Sequence, residues 1–175
     1  MAKYTIDPSH SQASFTVRHM MISNVRGEFQ KLSGTVEFDP ANVGATKISA
    51  DLEVASLSTG DEKRDAHLRS ADFFDAEKHA TITFRSKSAE AKGAGEIEVR
   101  GDLTIHGVTK EVVLAVEGPT APAKDPWGNE RIGASAATKI KRTDFGLVWN
   151  VALEAGGILV GEDVKIALDV SLIKG

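Results

Sequence analysis

Apolar side chains recur at every second position along most of this chain, and a period of two commits a polypeptide to strands with one covered face. Ile48, Ala50, Leu52 and Val54 face one way while Ser49, Asp51 and Glu53 face the other. The same alternation runs through Tyr4 and Ile6, Phe15 and Val17, Ile82 and Phe84, Ile97 and Val99, Leu103 and Ile105, and Leu114 and Val116. It returns at Ala134, Ala136, Thr138 and Ile140, and again at Val164, Ile166, Leu168, Val170 and Leu172. Phe29, Leu32, Val36 and Phe38 form a looser run that stops at Asp39-Pro40. Turn signals separate the runs: Asp7-Pro8, the small polar stretch Ala89 to Gly95, and His106-Gly107, which fits a tight two-residue hairpin turn. Gly101 sits inside a run and marks a bulge or bend. Gly118 to Gly128 holds three of the five prolines and Trp127, which predicts an irregular loop over the surface.

About eight strands joined by hairpins, with no βαβ rhythm, require an antiparallel sheet that closes or doubles over to hide its edges. The expected fold is all-β, an eight-stranded antiparallel up-and-down barrel forming a single domain over residues 1–175. Small inward residues such as Ala50, Ala134 and Ala136 leave volume inside, and a barrel of this size holds one ligand when it is not packed solid. Facing phenylalanines and leucines could equally fill that space, and periodicity leaves the choice open.

Ser56 to Asp75, SLSTGDEKRDAHLRSADFFD, departs from the pattern. Six of the nine residues from Asp61 to Arg69 are charged, with Ala66 and Leu68 among them, so the stretch predicts a short polar helical segment around 61–75 with a narrow apolar edge. Ser58 or Thr59 is the expected N-cap, and Asp61 and Glu62 suit the positive end of the helix dipole. Phe73 and Phe74, set between Asp72 and Asp75, are expected to point inward, as a lid over a barrel mouth or as a crossover that closes the core. In MMISNVRGEF, Met20, Met21, Ile22 and Val25 cluster without a strand period, as a core plug or as the wall of an apolar site.

Composition removes several function classes. A net charge of -4 and the absence of any long Lys/Arg run argue against a nucleic-acid surface. There is no cysteine, so disulfides, thiolate metal sites and a cysteine nucleophile are excluded. No apolar stretch approaches the roughly 18 to 20 residues of a transmembrane helix. The start MAKYTIDPSHS carries no leader, which places the expected location in the cytoplasm, or in the periplasm if a leader has been removed.

YTIDPSHSQASFTVRH, GEFQKLSGTVEFDP, SLSTGDEKRDAHLRSADFFD, GDLTIHGVTKEVVL, RTDFGLVWN and GEDVKIALDVSL, in this order over nearly the whole chain, resemble the YceI family of polyisoprenoid-binding or lipid-binding proteins with a lipocalin-like barrel. Two departures are Ala80 after Lys78-His79, where the family usually has proline, and the missing leader, since many members are periplasmic. The resemblance implies an elongated apolar cavity holding a long lipid chain, often in a homodimer. The function expected is binding, transport or storage of an isoprenoid-type lipid (a polyprenyl diphosphate, a quinone or a similar amphiphile) without catalysis.

Such binding needs no polar anchor. Each buried methylene contributes roughly 0.8 kcal/mol, so one five-carbon unit contributes on the order of 3 to 4 kcal/mol. Eight units would exceed the ceiling of about 18 to 21 kcal/mol for non-covalent affinity, so ordering costs must absorb much of the sum. The apolar wall candidates are Phe15, Met20, Met21, Phe29, Phe73, Phe74, Phe84 and Trp149. Head-group candidates at the mouth are His19, Arg64, Asp65, His67, Arg69 and Arg142 with Asp144, since arginine donates paired hydrogen bonds to a diphosphate. Arg64 with Asp65, or Arg142 with Asp144, could instead tie loops to strands. His10, His19, His67, His79 and His106 lack paired metal-ligand spacing, and Ser9-His10-Ser11 has no nucleophile elbow. No metal, no cofactor beyond the lipid and no catalytic residue is expected. A lipid-modifying hydrolase at the barrel mouth, or a stress-associated interaction protein with a solid core, are the competing readings.

Overall fold

The computed structural model describes residues 1–151, 153 and 159–175. Its strands are β1 Ala2–Ile6, β2 Gln12–His19, β3 Ser23–Phe29, β4 Leu32–Phe38, β5 Lys47–Glu53, β6 Leu57–Ser58, β7 Thr81–Gly93, β8 Glu96–Ile105, β9 Val108–Glu117, β10 Ala123–Lys124, β11 Glu130–Lys141 and β12 Val160–Lys174, with one α-helix, α1, at Glu62–Arg69. Short breaks leave β1 with β2, β3 with β4, and β5 with β6 as single long staves, and these three with β7, β8, β9, β11 and β12 make an eight-strand barrel. The last strand closes the ring. On one edge β12 pairs with β11 from Arg131↔Ile173 to Lys141↔Asp163. On the other it pairs with β2 at Val164↔Val17 through Asp169↔Gln12 and with β1 at Leu172↔Ile6. Among the described residues no helix is long and apolar enough to cross a membrane.

Up-and-down order sorts the connections between two ends. One end carries the β2–β3 and β8–β9 turns, the β11–β12 connection and the segment holding α1. The other carries the β4–β5, β7–β8 and β9–β11 connections. Two of the hairpins turn through a pair of consecutive residues with positive φ, the geometry whose twist matches that of the strands. His106-Gly107 has φ 55° and 73°, as its glycine predicts. Met20-Met21 has φ 51° and 61° without any glycine, and the turn leaves their side chains 43% and 57% exposed. Neither is a core plug.

Local details depart from the sequence reading where tertiary pairing outweighs propensity. β7 runs on to Gly93 because β8 pairs with it as far as Gly93↔Glu96, so the turn shrinks to Ala94 and Gly95. A register shift between Ser86 and Ser88 places a bulge opposite Gly101. The cap of α1 is Asp61, whose carboxylate accepts from the Lys63 and Arg64 amides at 3.0 and 3.1 Å, and neither Ser58 nor Thr59 fills that role.

The Asp7-Pro8 break between β1 and β2 anchors the loop after β9. Arg131 donates to Asp7 from Nη1 and to Asp125 from Nε, both at 2.7 Å. Arg131, then Ser9 and His10, hold the Asp7 carboxyl well below its ordinary 3.8. Burial pushes the Asp125 carboxyl up, but Arg131 and the amides of Asn129 and Trp127 outweigh it and hold it at about 2. Both groups bind protons more weakly in the folded chain, so the stability they supply is complete above about pH 4 and is lost as pH falls through the folded values. The denaturation midpoint should therefore be flat from about pH 7 to 5 and fall below about pH 4. In Arg131→Met the acid fall should be shallower, and an unchanged profile would refute the assignment.

Candidate functional site

The barrel is hollow. A cavity of about 220 Å³ runs through it, lined almost wholly by inward side chains of the alternating runs. At the end carrying α1 it meets Leu68, Phe73, Leu147 and Arg142, and at the other it reaches Thr46 and Pro119. Wall residues on β12 extend from Val160 to Leu172, about 40 Å of strand at the usual rise. Leu114 and Val116 on β9, and Ile166, Leu168 and Val170 on β12, face inward yet remain only half-buried, because they front this space.

Two features keep the lumen open. Ala50, Ala134 and Ala136 present only methyl groups to it. Phe15 and Phe84 lie across glycines of the wall: a Cβ on Gly27 would stand 2.6 Å from Phe15 Cε1, and one on Gly101 2.6 Å from Phe84 Cζ. Folded down onto backbone, those rings line the cavity without filling it. Phe29 packs beside them, 5.6 Å from Phe15 and 5.9 Å from Phe74 between ring centroids.

α1 closes one end as a cap that its own polar residues fasten. Arg64 donates from Nε to Thr59 Oγ1 at 2.7 Å and from Nη2 to the Thr59 carbonyl at 2.8 Å. The buried Asp65 carboxylate accepts from the Thr59 amide at 2.8 Å and from its hydroxyl. Arg69 donates to the Leu57 carbonyl at 2.7 Å. Beyond the helix the chain turns back, and Phe73 and Phe74 reach the cavity.

Arg142 is the one charged residue among the described wall residues, and it is 4% exposed. Its guanidinium donates from Nε to Gly161 O at 2.8 Å, from Nη1 to Leu147 O at 2.6 Å and Trp149 O at 3.0 Å, and from Nη2 to Val160 O at 3.1 Å. Among the described residues no carboxylate pairs with it, and Asp144 is exposed. Burial lowers its affinity for the proton, with Glu162 pulling the other way, yet a guanidinium stays protonated. The backbone carbonyls use four of its five N–H donors, which leaves one without a partner among the described residues.

Of the residues expected at the site, Phe15, Phe29, Phe73, Phe74, Phe84 and Arg142 line the cavity. Six do not. Met20 and Met21 stand outside on the β2–β3 turn, and His19, at the end of β2, is absent from the wall. Arg64 is spent on Thr59. His67 bonds Asp72 at 2.9 Å and meets Trp149 edge-on at 4.7 Å, so both rings back Phe73 from outside the lumen. Most of the remaining wall is aliphatic and comes from the alternating runs of strands all around the ring. Its signal was the unbroken alternation, which aromatic and methionine positions had overshadowed.

A closed antiparallel barrel with a greasy lumen and a polar helical cap belongs to the class of hollow β-barrels. The chain belongs to the YceI family: the YceI-like domain model matches residues 4–172. It is 41% identical over 148 residues to a UPF0312 protein of Vibrio cholerae serotype O1, covering 83% of this chain and 78% of the relative. The crystal structure of Burkholderia cenocepacia BcnA superposes with a TM-score of 0.79 at 25% identity, over 95% of this chain and 98% of that one. The fold is shared with a polyisoprenoid binding domain from Saccharophagus degradans, described as implicated in plant cell wall breakdown, at a TM-score of 0.72, 16% identity and full coverage of both chains.

Proposed function

We propose that this protein binds an isoprenoid-type lipid as a carrier or store, its chain along the barrel and its head group beside Arg142. The observation that carries the reading is the long apolar cavity, with the buried Arg142 the one charged side chain among its described wall residues. Family membership supports it, as does a fold shared with a polyisoprenoid binding domain. A buried guanidinium with a spare N–H favours a head group that accepts hydrogen bonds, such as a diphosphate or a quinone carbonyl. The described wall residues include no histidine, aspartate or glutamate to act as a base, which favours holding over hydrolysis. Mass spectrometry of an organic extract of the protein, purified without detergent from cells that make polyprenyl lipids, should find one such lipid in stoichiometric amount. An extract with no lipid would overturn the reading, and release of a cleaved product on incubation would replace it with catalysis.

A further inference from the structure

We infer that Asp75, His79 and His106 form a binding site for a divalent first-row metal ion of the Zn²⁺ class, joining the cap to the barrel rim. Asp75 and His79 belong to the segment between α1 and β7, and His106 to the turn between β8 and β9. One potential ligand atom from each residue lies within 4.8 Å of the others, and all three residues are half-buried. Two imidazoles and one carboxylate match a zinc site of three protein ligands with a water in the fourth position. Ligands on a tetrahedral ion stand about 3.4 Å apart at ordinary bond lengths, so side-chain movements of roughly 1 Å complete the site.

Three further observations converge on it. The His79 and His106 rings lie 4.8 Å apart, edge to face, and neither makes a protein hydrogen bond among the described residues. Their space is kept clear by glycines: a Cβ on Gly107 would stand 2.8 Å from His79 Cε1, and one on Gly146 3.1 Å from His106 Nδ1. Asp75 and His106 both take left-handed backbone conformations, φ 51° and 55°, that non-glycine residues adopt at some cost. The His79 amide closes onto the Asp75 carbonyl at 2.8 Å, which sets the two side chains together. Phe73 and Phe74 are part of the same cap, so an ion here fastens the segment through which a guest would pass.

Untagged, chelator-treated protein titrated with Zn²⁺ by calorimetry should take up one ion per chain with a dissociation constant of about 10 µM or tighter. Co²⁺ should produce the intense visible bands of a tetrahedral nitrogen and oxygen site. His106→Asn keeps a side chain that tolerates the left-handed turn, and Asp75→Asn keeps the shape of the carboxylate. Each should weaken binding by more than about a hundredfold, the upper range for losing merely an outer ligand partner. His10→Asn should leave it unchanged. Should His106→Asn fail to fold by near-ultraviolet dichroism, Asp75→Asn decides alone. Absence of saturable uptake by the parent protein, or uptake retained in the folded variant, overturns the site.

Discussion

Replacing Arg142 with leucine is expected to destabilise the protein by about 3 to 5 kcal/mol, because the loss of a buried hydrogen-bonding cation leaves its partners stranded. The guanidinium is the donor for the carbonyls of Gly161, Leu147, Trp149 and Val160. All four lose this partner, and Val160 alone keeps a second side-chain donor, Asn150 Nδ2 at 2.8 Å, among the described residues. Each orphaned buried acceptor costs about 1 to 3 kcal/mol, and relief from burying the charge offsets part of the sum. Urea denaturation measures the effect, and a change within about 0.5 kcal/mol, the range of ordinary surface substitutions, would contradict the role assigned here. Arg142→Lys keeps the charge but not the planar fork, so it should recover only part of the loss. In that variant, affinity for an anionic prenyl lipid should fall further than affinity for an uncharged prenyl alcohol if the head group lies beside the guanidinium.

The double variant Ala134→Phe with Ala136→Phe should keep the barrel and lose most of its lipid. Both side chains face the cavity from β11, where inward methyls are part of what keeps the lumen open. Each guest methylene displaced costs about 0.8 kcal/mol, and two displaced methylenes already exceed the 1.4 kcal/mol that makes a tenfold change in affinity. Two benzyl groups displace more than that, so lipid recovered per mole of protein should fall at least about tenfold. The added rings enter open space, and the far-ultraviolet dichroism should hold its β form. Full lipid content in a folded double variant would mean that the guest sits elsewhere.

The cap shows how far a one-dimensional reading reaches. Charge density from Asp61 to Arg69 marked a helix that could not enter the core, and the adjoining Phe73 and Phe74 were expected inward, where they lie. What the polar face does was out of reach. Arg64 and Asp65 both fasten Thr59, a residue of the preceding loop, and this contact depends on how the chain turns at Gly60. Met20 and Met21 misled for a different reason. Their apolar character pointed to burial, but the three-residue hairpin loop from Met20 to Ile22 projects its side chains outward, and strand register outranks side-chain preference there. Asp75, His79 and His106 went unconnected because the last is carried to the others by the β7–β8–β9 pairing.

The period of two, read residue by residue, was enough to determine an antiparallel barrel of about eight strands with a helical interruption, because alternation is a local property that only a sheet with one covered face satisfies. Whether that barrel was hollow could not be local. It depended on Phe15 and Phe84 lying across Gly27 and Gly101 on neighbouring strands, and on Arg142 finding carbonyls on both sides of the β11–β12 connection. Cross-strand register set those distances, and register emerges only when the whole ring closes.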